Sequence, residues 1–326
     1  MKKLVSFFIF ILFSTYSFGQ QDPEFSHNMF DHLSVNPAAA GLYDAVNARL
    51  LNSQKMLGMP NAPVTTTFAV DAPLTFIGIE NTLINNSGVG LFFATDEAGF
   101  RKNFDFKFDY SYRLKDIGFE ESVLQIGLGL GIRNGSFASD TDWLIPSGKA
   151  ASTDISFPAA GASASVFDLD LGVFYKIGTG EDDGNWYTAF SLKHLSSPTV
   201  DFNGVEENIK RHYYLTGGYV YETPNPLFQV RPSIFILSDG ISSKININAN
   251  VWYDRKYWGG VSYGIGESIG LMIGGSYEDF EFGYSYNMAR DGISEYSSGS
   301  HEIMVGYRFN ISMEPKGRTK HDKVRG

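Results

Sequence analysis

Residues 103–114 read Asn103-Phe104-Asp105-Phe106-Lys107-Phe108-Asp109-Tyr110-Ser111-Tyr112-Arg113-Leu114. Successive side chains of a strand point to opposite faces. Phe104, Phe106, Phe108, Tyr110, Tyr112 and Leu114 therefore share one face, and Asn103, Asp105, Lys107, Asp109, Ser111 and Arg113 share the other. A soluble sheet also alternates, with its apolar face turned to a core. Charges of both signs on one face and an unbroken apolar, mostly aromatic row on the other suit a wall between lipid and water better. That is the pattern of an outer-membrane barrel strand.

The pattern recurs outward from this stretch. In 122–134, Leu124, Ile126, Leu128, Leu130 and Ile132 alternate with Gln125, Gly127, Gly129, Gly131 and Arg133. The three inner glycines leave room for either backbone curvature or an inserted segment. In 165–177 the outer row Phe167, Leu169, Leu171, Val173, Tyr175 faces away from Asp168, Asp170, Gly172 and Lys176. Segment 241–253 sets Ile245, Ile247, Ala249 and Val251 against Lys244, Asn246, Asn248 and Asn250. Further strands are expected at 45–55, 64–74, 87–95, 100–114, 185–195, 210–221, 227–238, 257–265, 268–277, 280–287 and 299–309. The sequence thus predicts an all-β fold, a transmembrane antiparallel barrel of about fourteen strands over residues 45–309.

Connection lengths test this count independently. With both termini periplasmic, the connections after odd strands face outward, and these include the long segments 135–164, 196–209 and 288–298. The opposite connections 115–121, 178–184, 222–226, 254–256 and 278–279 are short; only 75–86 is long. Long loops outside and short turns inside is the barrel rule. Turn chemistry agrees at Asp182-Asp183-Gly184, Thr223-Pro224-Asn225-Pro226 and Asp239-Gly240.

Composition bounds the function. There is no Cys among the 326 residues, which excludes disulfides, thiolate metal sites and Cys nucleophiles. Aromatics reach 15% and Gly numbers 35, which suits a barrel with aromatic girdles. Lys2 and Lys3, the apolar run 4–13, and Ser17 and Gly19 read as a signal peptide over 1–19, cleaved after Gly19. Without Lys2 and Lys3 the chain carries 24 basic against 36 acidic residues, a net charge of −12, which argues against nucleic acid as a partner. Residues 20–44 are aperiodic, with Phe25, Met29, Phe30 and Leu33 as apolar anchors and a break at Asn36-Pro37. They read as a packed N-terminal arm, periplasmic or plugging the barrel. The tail 310–326 carries Lys316, Arg318, Lys320, Lys323 and Arg325 against Glu314 and Asp322. It reads as a solvated tail or as a periplasmic docking segment for an acidic partner.

No catalytic constellation assembles from the sequence, and no cofactor or metal is expected. The histidines are His27, His32, His194, His212, His301 and His321. Ser300-His301-Glu302 looks like a relay, but in a strand His301 points away from both neighbours. Asp140, Asp142 and Asp154, and separately Glu181, Asp182 and Asp183, lack the spacing of a calcium loop. Inner-face charges, among them Asp105, Lys107, Asp109, Arg113, Arg133, Asp168, Asp170, Lys176, Arg231, Lys244, Glu281, Glu302 and Arg308, are expected to cross-pair in the lumen. They would set selectivity or stiffen the wall.

Two blocks carry a family resemblance. The first is Gln21-Asp22-Pro23-Glu24-Phe25-Ser26-His27-Asn28-Met29-Phe30 followed by Ser34-Val35-Asn36-Pro37-Ala38-Ala39-Ala40-Gly41. The second is Phe282-Gly283-Tyr284-Ser285-Tyr286 followed by 297–309, which contains Ser300-His301-Glu302. Together they resemble the PorP/SprF family of Bacteroidetes outer-membrane proteins of the type IX secretion and gliding system. Asn36, Pro37, Gly41, Gly283, Tyr284, Ser300, His301 and Glu302 fall on the family motifs. Here Asn287-Met288-Ala289-Arg290-Asp291 stands where an Asp-rich turn is common. The resemblance implies a non-enzymatic barrel that assists export or surface attachment of a large cargo protein with a type IX C-terminal signal. It also implies contact with periplasmic ring subunits, besides the outer-membrane lipids. The residues themselves leave a second function open, a passive porin or hydrophobic-solute channel.

Overall fold

The computed structural model describes residues 22–77, 81–138, 158–159, 161–178, 185–290 and 297–310. The expected signal peptide, the tail residues Lys316, Arg318, Lys320, Lys323 and Arg325, and both acidic loop groups lie outside them. The strands in chain order are β1 (Ala45–Gln54), β2 (Val64–Pro73), β3 (Ser87–Ala98), β4 (Arg101–Lys115), β5 (Ser122–Phe137), β6 (Ser163–Ile177), β7 (Trp186–Lys193), β8 (Thr199–Asp201), β9 (Glu206–Asn208), β10 (His212–Tyr219), β11 (Tyr221–Glu222), β12 (Phe228–Ser238), β13 (Ser243–Tyr253), β14 (Tyr257–Gly264), β15 (Ser268–Tyr277), β16 (Phe280–Ala289) and β17 (Ser300–Asn310).

Fourteen of these, β1–β7, β10 and β12–β17, form one closed antiparallel barrel. β1 pairs with β17 from Ala45↔Asn310 to Gln54↔His301 and closes the ring. β10 bridges β7 and β12. Closure leaves no edge with unpaired backbone groups, which is what permits a sheet to stand in lipid. Each expected strand coincides with one barrel strand.

The sidedness is inverted relative to a soluble protein. Along β4, Asp105, Lys107, Asp109 and Ser111 are buried, while Phe104, Phe108 and Tyr110 are exposed. β5 repeats this with Ile126, Leu128, Leu130 and Ile132 outside. The exposed apolar rows are the membrane belt and the buried polar rows line the lumen.

Some boundaries differ from the sequence reading. β5 and β6 extend to Phe137 and Ser163, so the connection between them is shorter than 135–164. β13 starts at Ser243 rather than 241, because Asp239 Oδ1 accepts the N–H groups of Ile241 (2.9 Å) and Ser242 (2.7 Å) and closes a turn there. Gly240 takes φ +82° in that turn, a conformation glycine adopts without strain. The connection 194–211 is not a plain loop. It contains the β8–β9 hairpin, whose Val200 and Phe202 pack with Ile209, Ala162 and Phe137.

Candidate functional site: the occupied lumen

The arm 22–44 lies inside the barrel. It begins at the loop end, where Asp22 meets Arg133 of β5 and His194 just after β7. Glu24 then pairs with Lys244, near the loop end of β13 (3.3 Å). Phe25, Met29 and Phe30 pack against Leu51, Trp252, Trp258, Met272 and Met304 of the wall. His32 packs edge-on to Phe174 and Tyr187. Val35 joins Tyr214, Phe235 and Leu237. The arm leaves at the turn end, where Arg113 holds Asp44 (3.0 Å) and the Gly41 carbonyl. The sequence reading of a packed arm thus becomes an arm packed within the lumen. A docking surface for the periplasm needs exposure that Asp22, His27, Asp31, His32 and Asn36 do not have.

The wall is cut to receive it. A Cβ on Gly127 would stand 2.2 Å from the Ala38 nitrogen, and one on Gly172 would stand 1.9 Å from Asn36 Oδ1. One on Gly88 would meet the Ala40 oxygen at 2.2 Å. Of the two uses open to the inner glycines, Gly127 serves the inserted segment. Gly131 instead admits the Phe106 carbonyl and the Lys107 stem of the neighbouring strand, which a Cβ would meet at 2.5 Å and 2.7 Å.

An irregular backbone inside a barrel must find hydrogen-bond partners. The wall supplies them: Gln125 Nε2 (3.1 Å) and Ser111 Oγ (2.6 Å) donate to Ala40 O, Lys193 Nζ to Ser34 O (3.2 Å), and Ser191 Oγ to Val35 O. Asn36 caps the 3₁₀ turn Pro37–Ala39, its side chain accepting from Ala38 N at 2.9 Å and donating to Val173 O at 3.1 Å. Gly41, at φ +61°, gives its N–H to Asp71 Oδ2 (2.9 Å).

Charge concentrates at the loop end. Asp22, 6% exposed, receives Arg133 Nη2 (3.0 Å), Lys193 Nζ (3.1 Å) and Tyr214 OH (3.0 Å), with His194 Nε2 at 3.0 Å. Arg133 Nε also bonds Asp105 (2.8 Å). Lys107 pairs with Asp168 (3.1 Å) and with Asp170, and His194 Nδ1 lies 2.6 Å from Asp168. The inner-face charges named from the sequence do cross-pair here, but the arm completes the network. Asp22 with His194 and His212, and Asp168 with Asp170 and His194, bring potential metal-ligand atoms within 4.8 Å. Lys107 already spans the second set, and Lys193 and Arg133 press on the first. Three cations at that range work against a metal ion.

The turn end is different. A cavity of about 300 Å³ lies between Met29, Phe30 and Tyr43 of the arm and wall residues of β1, β7, β10, β12, β13 and β15–β17. Arg231 lies 4.3 Å over Trp252, and Arg308 lies 4.5 Å over Tyr43. The exposed residues Arg255, Glu278 and Asp279 form its rim.

The motif residues divide between the two faces of the wall. Asn36, Pro37 and Gly41 belong to the arm, while Gly283 and Glu302 form its socket. Glu302 accepts from Ser26 N (2.8 Å) and lies 3.2 Å from His27 Nδ1, and a Cβ on Gly283 would touch His27 at 2.9 Å. Tyr284 and His301 turn to the membrane side, where Tyr284 OH and His301 Nδ1 are 2.7 Å apart. Ser300 Oγ accepts from Met56 N (3.1 Å). Ser300-His301-Glu302 is therefore split across the wall, as strand alternation requires. The sequence reading missed Asp22, Lys193, His194, His212 and Tyr214 as one cluster. The available signal was alternation, which puts Lys193 on the inner face of β7 and His212 and Tyr214 on that of β10.

The profile of the family described as type IX secretion system membrane protein PorP/SprF matches residues 17–307. Comparison with curated proteins returned no match. Among solved structures, the chain is similar to the CymD monoaromatic hydrocarbon channel (TM-score 0.49, 10% identity, 90% of this chain and 95% of that one). It is also similar to a Pseudomonas aeruginosa FadL homologue (0.45, 11%, 90% and 95%) and to the Ralstonia pickettii toluene transporter TbuX (0.46, 8%, 86% and 92%). Likeness at this level carries no inference about what this chain binds.

Proposed function

The chain belongs to the PorP/SprF family of type IX secretion system membrane proteins, and on that premise we propose that it is an accessory or anchoring component working by binding rather than catalysis. It is an integral outer-membrane barrel of the secretion system; the finer role is to assist export or surface attachment of a large cargo protein. The observation that supports binding over passage is the lumen itself, filled by the arm from Asp22 to Asp44 with wall donors committed to its backbone. The outer connections, chiefly 135–164 and 288–298 in the sequence reading, hold cargo carrying the type IX C-terminal signal. The basic tail, with Lys316, Arg318, Lys320, Lys323 and Arg325, meets the periplasmic ring subunits. Residues 1–19 are the cleaved export signal.

The test is capture of the tagged protein from native outer membrane in mild detergent, with mass spectrometry of what accompanies it. A large surface protein with a type IX signal, or ring subunits, is the expected result. Reproducible recovery of the barrel alone after crosslinking would sink the proposal. One observation favours a second reading, a passive channel: the cavity of about 300 Å³ at the turn end. Liposome conductance and solute uptake by the full chain separate the two.

A further inference from the structure

Five wall groups converge on one arm carboxylate; Arg133 and His194 also hold Asp105 and Asp168, while among the described residues Lys193, His212 and Tyr214 have no second carboxylate. Asp22 Oδ1 takes Arg133 Nη2, while Oδ2 takes Lys193 Nζ, Tyr214 OH and His194 Nε2, and lies 4.0 Å from His212 Nδ1. Among the described residues Lys193 has no other carboxylate within salt-bridge range. Its remaining contacts are the Ser34 carbonyl and the rings of Phe92 and Tyr214. His212 is 3% exposed, and neither ring nitrogen makes a hydrogen bond. Lys107 shows the contrast: Asp168 and Asp170 of the wall match it without the arm. A buried cation left without its partner is strongly destabilising. The barrel therefore presents a donor set that requires an anion at this place.

The donors also define the kind of anion. Arg133 addresses one oxygen, Lys193 and Tyr214 address the other, and His194 Nε2 lies within reach of both, at 3.2 and 3.0 Å. Charge-assisted donors on two separate oxygens suit a planar two-oxygen acceptor better than a spherical halide. His194 adds a further element, since its Nε2 also lies 3.2 Å from Arg133 Nη1. The neutral ring accepts from Arg133; the protonated ring donates to the carboxylate.

We propose that Arg133, Lys193, His194, His212 and Tyr214 form a carboxylate-binding site in the lumen, that Asp22 is its tethered ligand, and that a free carboxylate takes the same place when the Asp22 side chain is removed. The arm is then latched at Asp22 by this donor set. This concerns the lumen alone and stands apart from the identity of any cargo.

The experiment is heat unfolding of full-length Asp22→Ala in detergent, in sodium formate and in sodium chloride of equal ionic strength. Loss of the carboxylate lowers the midpoint on the order of 5–10 °C. Formate restores at least half of that loss and chloride does not. Wild type shows no formate response, because its site is filled, and adding Lys193→Met to Asp22→Ala abolishes the response. Equal recovery in chloride and formate, an equal response in wild type, or no recovery at all would overturn the proposal. Should Asp22→Ala and Asp22→Asn both fail to fold in chloride, refolding is the readout. Folding that depends on formate supports the site, and failure with formate present rejects it.

Discussion

At the loop end of the lumen, Asp22 sits among Arg133, Lys193, His194 and Tyr214 at 3.0–3.1 Å, almost without solvent. At the turn end, Arg231 and Arg308 lie on aromatic faces beside a cavity of about 300 Å³ whose rim is exposed. Both ends carry arginine, but Arg231 and Arg308 are satisfied differently from Arg133; Arg49 of the turn end, paired with Glu281 (3.1 Å), resembles Arg133 instead. A guanidinium shut away from water needs fixed carboxylates, and each partner removed leaves a charge stranded. A guanidinium stacked on a ring and donating to a neutral amide, as Arg231 does to Gln229 Oε1 (2.7 Å) and Arg308 to Asn47 Oδ1 (3.0 Å), strands no buried charge when it is removed. The loop end is therefore brittle and the turn end tolerant, though the same barrel holds both.

The sharpest way to break this contrast is Arg133→Met. It leaves Asp22 and Asp105 without their shared cation, and the expected loss is about 3–5 kcal/mol. Denaturant unfolding in detergent measures it; a loss below about 1 kcal/mol would show that the loop end is not brittle. The contrast also assumes one continuous lipid-facing belt outside both ends. Phe108, at the middle of β4 and 43% exposed, tests that assumption. Phe108→Arg is expected to cost about 2–4 kcal/mol at the bilayer midplane. The same substitution read in a lipid bilayer without effect would place β4 elsewhere than in the membrane.

Gly127→Val asks whether the arm depends on the wall. The new side chain collides with the Ala38 backbone, 2.2 Å from its first carbon. Overpacking of this kind costs about 1–3 kcal/mol, here relieved by displacing the arm. Planar-bilayer conductance of the variant should exceed that of wild type. Unchanged conductance with unchanged stability would mean that the arm shifts within the lumen instead.

The fold was legible because a strand repeats every two residues and a membrane wall has opposite solvents on its faces. β4 and β5 alone carry that information in Phe104–Leu114 and Leu124–Ile132. The arm has no period, so nothing in 20–44 says which way Asp22 points. Its path is written instead in the wall, in Gly88, Gly127 and Gly172, and reading a missing Cβ as a contact requires knowing what comes near. Asp105, Lys107, Asp168 and Asp170 were identifiable as lumen charges from alternation. Lys193 is in phase with Tyr187, Ala189 and Ser191 on the inner face of β7 but was not singled out, and His194 was not identifiable because it follows the strand's end and leaves the alternation. The turn residues Asp239-Gly240 were visible by type, but the side-chain closure that delays β13 to Ser243 was not.

At the tolerant end, Arg231→Gln loses the Trp252 stack and the donors to Gln229 Oε1 (2.7 Å) and should cost about 1–2 kcal/mol. A loss matching that of Arg133→Met would erase the distinction between the two ends.

The smallest effect belongs to Asp239, which sharpens the contrast from within the loop end. This carboxylate is also held by local donors, yet mainly by backbone at a turn, with the half-exposed Lys210 at 3.7 Å, rather than by buried cations in the lumen. Burial raises its pKa, but the N–H groups of Ser242 and Ile241 outweigh that and hold it below the usual carboxylate range. A lowered folded-state value means that the stabilisation is complete above the unfolded value of about 4 and fades as pH falls through the folded one. Asp239→Asn should remove that acid-side slope and cost about 0.5 kcal/mol or less at neutral pH. Unfolding midpoints between pH 7 and the acid limit of wild type and variant measure it. If the two profiles run parallel, the turn carboxylate contributes nothing to the acid response. Local backbone capping would then not be a second way of satisfying charge at this end of the barrel.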